Sequence, residues 1–441
     1  CAYILRVRIA EAIKNRKDTK GVFVLNAAVK SACAVLLIIV GVSLWSQYTD
    51  IASKQASLKN WANTRDYGVF YPVSAGNDLI DAQTGQPGPT TAEVFDLYPL
   101  LNSMGSLYVD ATSYEPVALA ESFDPRAFRS ITVNPNFLQA FPLRDSTGKP
   151  ISIPESTSDW VVLAPVSYKS READILWYFQ GLRPSGYEAE QSLFWRTVPD
   201  RVLHQQVKII WTANDQRVFS FDPLVYASDG NVIRDPVIEV ITSMNSLGID
   251  RANMITGAGA SEALKVRLIG GDSAQTMSVL RPTLKNLKLD DNLQYLVTVN
   301  ELILQEINQL RDAMKWITVT ALILFVGLLV LLAENLAIIF DANARKIVVR
   351  RLFGSGFVRT YNEPLRLLAV IWVLQIAAAL LANRVGAHIV SVSASGSGSV
   401  PDDAIVLSAA AIVVLVELVG AIIALTFIEK RHLVHVLKGV F

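Results

Sequence analysis

Hydrophobic residues are concentrated in four stretches of the chain, each close to the length that crosses a bilayer. They are residues 27–45, 316–340, 367–383 and 404–427. A transmembrane helix needs about 20 mostly apolar residues, and a buried helix of a soluble protein rarely reaches that length without a polar stripe. The pattern therefore predicts four transmembrane helices. The third is the weakest, because it is short and Gln375 interrupts it.

Amphipathic segments flank the first two predicted spans. Residues 1–26 have apolar positions among charges, which predicts a cytoplasmic segment lying at the membrane surface. Residues 46–65 continue the first span outward, and residues 285–315 show apolar residues in an alternating rhythm of four and three. We expect these two segments to pair as a helical stalk; the alternative is two amphipathic helices packed on the domain between them. The predicted seam of the second stalk helix is Leu293, Leu296, Ile303, Ile307 and Leu310.

Residues 66–284 differ from the rest of the chain in having short apolar runs bounded by Pro, Gly, Asn and Asp. Such runs are typical of β-strands between turns. The predicted strand regions are residues 159–165, 206–211, 217–221, 236–242 and 265–269. Helical patches are expected at 188–194 and 259–264. The fold class is therefore a membrane protein, an α-helical transmembrane bundle of about four spans with a large mixed α+β extracytoplasmic domain on a helical stalk.

The charges are strongly segregated although 40 basic and 40 acidic residues balance overall. Residues 1–30, including Lys30, hold seven Lys and Arg against two acidic residues, and residues 341–366 hold six against two. Residues 47–314 hold 22 basic against 31 acidic residues. Short basic segments stay in the cytoplasm, so the pattern predicts a multi-pass plasma membrane protein with both termini inside.

That orientation assigns the remaining segments. It places residues 384–403, which contain a Ser- and Gly-rich run at 391–399, in an extracytoplasmic loop, and residues 428–441 in a cytoplasmic tail. Nothing in the charge pattern is typical of a nucleic-acid surface.

No constellation of residues indicates an enzyme. Residues 257–261 are glycine-rich but lack the Gly-Lys-Ser/Thr ending of a phosphate loop. His432 and His435 have no Cys or carboxylate pattern around them that would indicate a metal site. The two cysteines, Cys1 and Cys33, both fall outside the large domain, so we expect no disulfide there. We expect no catalytic site, metal or cofactor in this chain.

Polar residues inside the predicted spans are the first candidate site. Glu334 and Asn335 lie in the inner half of the second span, and Glu417 lies near the middle of the fourth. Ionisable groups at membrane depth are costly, so they usually face protein or water and carry function. We expect each to pair with another helix or with a partner subunit. The alternative is a helix–helix hydrogen bond without a transport role.

The cytoplasmic segment 341–366 is the second candidate site. It begins with a basic amphipathic run and continues through glycines, so it could lie along the inner membrane surface and dock a cytoplasmic protein. The alternative is a plain basic loop. The candidate docking residues are Arg345, Lys346, Arg350, Arg351, Gly354 and Gly356.

A family resemblance is carried first by the run Arg345–Gly354. It resembles the inner segment of FtsX-like and MacB-type permeases, in which a basic helix leading to a glycine follows the second span. The order of one span, a large outer domain and three spans also agrees. A more specific similarity, to the bacteriocin-associated integral membrane proteins, is carried by residues 131–138, 145–153, 162–165, 219–223, 235–245 and 436–439.

The resemblance implies the permease subunit of an ABC-type transporter. ATP hydrolysis would then belong to a separate cytoplasmic ABC ATPase subunit, with Arg345 to Gly356 as the coupling region and two permease halves forming a dimer. Relatives transmit motion across the membrane, and their link to bacteriocins implies peptide export or immunity. Members usually have more spans than the four expected here, so we expect the chain, which begins at Cys1, to be cut from a longer one. The alternative function is a non-transporting scaffold or immunity protein whose outer domain binds a peptide or an envelope partner.

Overall fold

The structure is a computed structural model that describes residues 19–76, 88–122, 124–392 and 402–438. The amphipathic run expected within residues 1–18 and most of the Ser- and Gly-rich run 391–399 lie outside these ranges. The chain divides into two compact units, one of residues 1–49 and 310–441 and one of residues 50–309. The first is helical and the second is built on a mixed β-sheet.

The helices, in chain order, are α1 (Thr19–Trp61), α2 (Gly88–Ala92), α3 (Tyr98–Ser103), α4 (Pro116–Ala120), α5 (Pro135–Ala140), α6 (Glu172–Phe194), α7 (Asp200–Leu203), α8 (Ser273–Asn286), α9 (Val299–Leu352), α10 (Phe357–Thr360), α11 (Asn362–Val392) and α12 (Asp403–Lys438). The strands are β1 (Tyr67–Phe70), β2 (Leu107–Asp110), β3 (Ser130–Val133), β4 (Trp160–Pro165), β5 (Val207–Thr212), β6 (Arg217–Phe219), β7 (Val232–Arg234), β8 (Val237–Val240), β9 (Leu264–Arg267) and β10 (Leu296–Thr298).

Among the residues that the structure describes, four helices, α1, α9, α11 and α12, each contain a stretch long and apolar enough to cross a membrane. This confirms the four predicted apolar helices. Two clusters of buried apolar residues hold the helical unit together. One centres on Ala34, Leu328 and Ala410, and the other on Leu332 and Ala421.

In the described part of the sheet unit, eight strands form one sheet in the order β10-β1-β9-β2-β3-β8-β4-β5, and β6 and β7 form a separate pair. The pairs β3–β8 and β4–β5 are parallel and the other pairs are antiparallel. A mixed α/β domain is therefore confirmed. Each of the five predicted strand regions overlaps a strand, whereas β1, β2, β3, β7 and β10 were not predicted.

Strand β4 is buried on both faces of the sheet. Its residues are all buried, and successive side chains point to opposite faces. Val161 and Leu163 join one apolar cluster, while Trp160 and Val162 join another with Phe179 of α6. A strand buried on both sides is expected to be a continuous apolar run, which is what made β4 visible in the sequence.

The predicted stalk helix over 285–315 is wrong in its first half. Helix α9 begins at Val299, Leu296 lies in β10, and Leu293 precedes that strand. Both leucines pack in the core with α8. Residues 296–298 instead form β10, which pairs with β1 so that Gly68 lies opposite Thr298. Periodic leucines thus reflect successive core positions rather than one helix face.

The second half of the predicted stalk is helical but packs on the sheet domain. Ile303 and Ile307 are buried with Trp61 of α1 in the domain core, and Leu310 is half-buried. Lys54 Nζ and Glu306 Oε2 are 2.9 Å apart, so an ion pair also joins α1 to α9. These contacts agree with the alternative of amphipathic helices packed on the domain. The prediction that α1 continues beyond its apolar stretch through residues 46–61 is confirmed.

The predicted cytoplasmic loop 341–366 is also largely helical. Helix α9 runs without a break through its apolar stretch and the basic run to Leu352, so the expected separate surface element is wrong. The predicted loop 384–403 is shortened as well, because α11 continues through residues 384–392. In both places the helix continues up to a stretch rich in glycine or serine, residues that have low helix propensity.

Candidate functional site

A buried ion pair lies among the apolar helices of the helical unit. Lys30 of α1 contacts Glu417 of α12 through Nζ and Oε2, and the two side chains are 1% and 0% exposed. Trp372 of α11 donates its indole N–H to Glu417 Oε2 at 2.7 Å. Gln375, one helical turn further along α11, donates to Oε1 at 3.4 Å. One carboxylate thus connects three of the four long helices.

The polar groups of α11 and α12 lie at the same height along the helices, between two apolar clusters. On α12, Glu417 lies one turn from Val413 on one side and from Ala421 on the other, and these belong to the two different apolar clusters. On α11, Leu368 and Ala379 likewise belong to different clusters and flank the two donors. The ion pair therefore separates two apolar layers.

The electrostatics of this site depend on complete pairing. An unpaired charge in an apolar interior is strongly disfavoured, whereas a carboxylate that accepts several hydrogen bonds next to an ammonium group is stabilised. Glu417 was predicted to pair with another helix or with a partner subunit, and it contacts Lys30 of α1 and Trp372 of α11. Lys30 was missed because it was counted with the cytoplasmic charges. The sequence did indicate that Lys30 lies inside an apolar stretch, because residues 21–25, which precede it, are already apolar.

The other predicted intramembrane polar residues do not join this site. Glu334 is exposed on the surface of the helical unit, where Asn26 donates to its Oε2 at 3.2 Å. The pair lies in a groove of about 450 Å³ whose other walls include Leu25, Val29 and Ala337. Asn335 is 3% exposed, and within the described part of the chain its Oδ1 has no hydrogen-bond partner. The polar residues of α9 and α12 thus belong to two separate sites.

The predicted docking residues lie at the end of α9. Gly354 has a φ of 74°, and the N–H of Ser355 donates to the carbonyl of Arg350 at 3.0 Å, which is the usual way a glycine terminates a helix. Arg350 also contacts Glu363 at the start of α11, with 3.7 Å between Nη2 and Oε1. Gly356 follows in the turn before α10. The side chains of Arg345, Lys346 and Arg351 lie outside the described part of the structure.

The sheet domain contains its own buried ionisable groups. Burial raises the pKa of Glu93 to about 8, and the nearby Glu262 carboxylate adds to the shift. Glu262 accepts hydrogen bonds from the backbone N–H groups of Thr256 and Ala258 at 2.8 and 2.7 Å. Burial lowers the pKa of Lys265 to about 8, although nearby carboxylates oppose the change. Lys265 is fully buried and donates to the carbonyl of Ala260 at 2.8 Å.

A second group of this kind surrounds β8. Burial raises the pKa of Glu239 to about 7, and the Asp250 carboxylate adds to the shift. The indole N–H of Trp160 donates to Glu239. Arg183 stacks on that indole at 3.6 Å and contacts Asp250 Oδ2 at 3.4 Å. These groups are internal to the fold, and their shifted pKa values make domain stability depend on pH near neutrality.

Neither metal coordination nor a known relative identifies the site. Within residues 19–76, 88–122, 124–392 and 402–438, no group of three or more His, Cys, Asp and Glu residues is arranged to hold a metal ion. No protein-family model matches the chain, and no curated protein matches it. The resemblance to permease families therefore stays a prediction.

Proposed function

We propose that the chain is a multi-pass plasma membrane protein and the permease subunit of an ABC-type transporter that transmits motion between the two sides of the membrane. The termini would be cytoplasmic and the sheet domain extracytoplasmic, as the distribution of Lys and Arg favours. Export of, or immunity to, a bacteriocin-like peptide is the role we favour. It rests on motif resemblance alone.

The continuity of α9 is the observation that carries this proposal. The helix has 54 residues, and Ile303 near its start is buried in the sheet domain. Arg350 near its end belongs to the basic run. At 1.5 Å per residue such a helix is about 80 Å long, more than twice the thickness of a bilayer's hydrocarbon core. In this proposal, a push on the basic end is transmitted along that one continuous helix.

The basic end is the proposed contact with a cytoplasmic ABC ATPase. Arg345, Lys346, Arg350 and Arg351 would present positive charge, and the turn at Gly354 and Gly356 would orient it. ATP would bind to that partner and not to this chain. In such a transporter we expect two copies of the permease half.

The buried ion pair has a supporting role in this mechanism. Lys30, Glu417, Trp372 and Gln375 connect α1, α11 and α12. Three helices connected in this way would move as one body when the end of α9 is displaced.

The test is co-purification from the native membrane in mild detergent. The double variant Arg350→Glu/Arg351→Glu should lose the ATPase subunit, because opposite charges would repel the same partner surface. Lys315→Glu is the matched control, since this exposed lysine lies on the same helix at the other end of the apolar stretch. It should retain the subunit.

Two outcomes would contradict the proposal. Equal recovery of the ATPase with the double variant and the control would exclude docking at the basic end. Peptide protection that persists when the ATPase is inactivated would favour the non-transporting scaffold instead.

A further inference from the structure

The eight-stranded sheet ends in an edge strand, β5, whose outward side is paired only at its end, where Asp145 forms an antiparallel bridge with Thr212. Strand β5 is the last strand of the eight and pairs with β4 in parallel, with Trp160 opposite Val207. The backbone N–H of Trp160 donates to the carbonyl of Gln206 at 3.1 Å. Because backbone groups alternate in direction along a strand, the even-numbered residues of β5 face β4 and the odd-numbered residues face outward.

The outward backbone groups are partly used and partly open. At the end of β5, the carbonyl of Trp211 accepts a hydrogen bond from the N–H of Ser146 at 2.8 Å. Before that point, the outward N–H and C=O groups of Val207 and Ile209 have no hydrogen-bond partner among the residues that the structure describes. Four backbone groups, in the register of a short strand, are therefore available to another chain.

The side chains of this edge are apolar on one face. Val207, Ile209 and Trp211 are each half-buried and pack against the cluster around Trp160 and Phe179. Natural proteins usually protect an exposed edge with charges, proline or a bulge. The only charged side chain on β5 is Lys208.

Lys208 determines which occupant fits. In an antiparallel pair of two copies that uses both Val207 and Ile209, Lys208 would stand directly opposite the same lysine of the second copy. Like charges in directly opposite positions destabilise a sheet. A second copy is therefore disfavoured, whereas a strand with a carboxylate at that position is favoured.

The ion pair that Lys208 makes within the chain would not prevent this exchange. Lys208 Nζ lies 3.6 Å from Asp159 Oδ2, and the two side chains are 60% and 51% exposed. Exposed pairs of this kind contribute little to stability, so a carboxylate from a bound strand can replace or join Asp159.

We infer that the β5 edge, residues 207–210, binds an extended peptide segment of another protein as a ninth strand. The segment carries an acidic residue opposite Lys208, with apolar residues on both sides that cover Val207 and Ile209. Backbone hydrogen bonds supply affinity and the alternating side chains supply specificity, as in other cases of strand addition. This inference goes beyond the proposed transporter role and does not depend on an ATPase partner.

The test measures fluorescence anisotropy with the full chain in lipid nanodiscs. The probe is a fluorescein-labelled peptide of eight residues that alternates valine with threonine and has one glutamate at its centre. Ile209→Pro removes the outward N–H together with the isoleucine side chain, and proline is tolerated on an edge strand where its nitrogen faces solvent. We expect this variant to bind the peptide about tenfold more weakly or worse. The matched control Ile209→Ala keeps the N–H and should stay within about threefold of the wild type.

A charge exchange and a modified peptide make the test independent of one variant. Lys208→Glu should weaken binding of the glutamate peptide by about fivefold and strengthen binding of a lysine-centred version. A peptide with an N-methyl group on every amide should not bind the wild type, because it has no backbone N–H left to donate to β5. This arm decides the question even where Ile209→Pro fails to fold.

Three results would overturn the inference. Equal binding of the N-methylated peptide would exclude strand addition. Equal uptake of the probe by empty nanodiscs would show binding to lipid. A dimer in sedimentation that Ile209→Pro dissociates would show that a second copy occupies the edge.

Discussion

The buried pair of Lys30 and Glu417 allows the sharpest test of the helical unit. Removing one partner of a buried ion pair leaves an uncompensated charge and typically costs about 3–5 kcal/mol. Here the side chains are 1% and 0% exposed, so the upper part of that range applies. Lys30→Met and Glu417→Gln should each destabilise the protein by about 4 kcal/mol. The double variant should lie within about 1 kcal/mol of the wild type, because no charge is left unpaired.

Glutamine is the appropriate replacement at 417 because its amide oxygen can still accept the indole N–H of Trp372. A leucine there would leave the half-buried indole N–H without an acceptor, and the measured loss would then combine two effects. The measurement is the fraction of monodisperse protein after heating in detergent, where a loss of 4 kcal/mol corresponds to a fall in midpoint on the order of 10 °C. Losses that simply add in the double variant would refute the reasoning, since independent sites are additive and coupled ones are not.

Two further predictions concern pH and a helix end. Glu93 has a folded pKa of about 8 against 4.5 for the ordinary group, so its contribution to stability is full below pH 4.5 and is lost as the pH rises through 8. Glu93→Gln should therefore make the decline of stability between pH 5 and 8 shallower by about 1.4 kcal/mol per pH unit than in the wild type, as measured by urea titrations at each pH. Gly354→Ala should cost about 1 kcal/mol because Gly354 has a φ of 74°, whereas Gly356→Ala, without that conformation, should cost less in the same thermal assay; equal losses would contradict the assigned helix end.

The sequence predicted best where one physical signal dominates. Four apolar stretches of membrane length correspond to α1, α9, α11 and α12. Strand β4 was predicted because its run is continuously apolar and β-branched. Strands β1, β2 and β3 have four residues each and were missed. Segments that short show too little alternation to be separated from turns.

The sequence predicted poorly where partners lie far apart in the chain. Lys30 and Glu417 are 387 positions apart, and neither local charge nor local hydropathy shows that they meet. The leucines at 293 and 296 fit a helical rhythm but occupy a core turn and a strand, because pairing of β10 with β1 outweighs local periodicity. The open edge of β5 was likewise invisible, since it depends on which strand ends the sheet.

The pairing of Lys30 with Glu417 also bears on why polar residues persist in such apolar helices. Replacing a buried ion pair with well-packed apolar residues is often neutral or stabilising, so stability alone does not explain it. Apolar helices in lipid gain little from hydrophobicity when they associate, and surfaces of Val, Ala and Leu offer several nearly equal registers. A single carboxylate that meets a lysine, an indole and an amide favours one register. A shift of α12 by a turn separates the charges, and a shift of α11 by a turn removes the hydrogen bonds of the indole and the amide. We therefore expect the pair to contribute more to the uniqueness of the bundle than to its total stability.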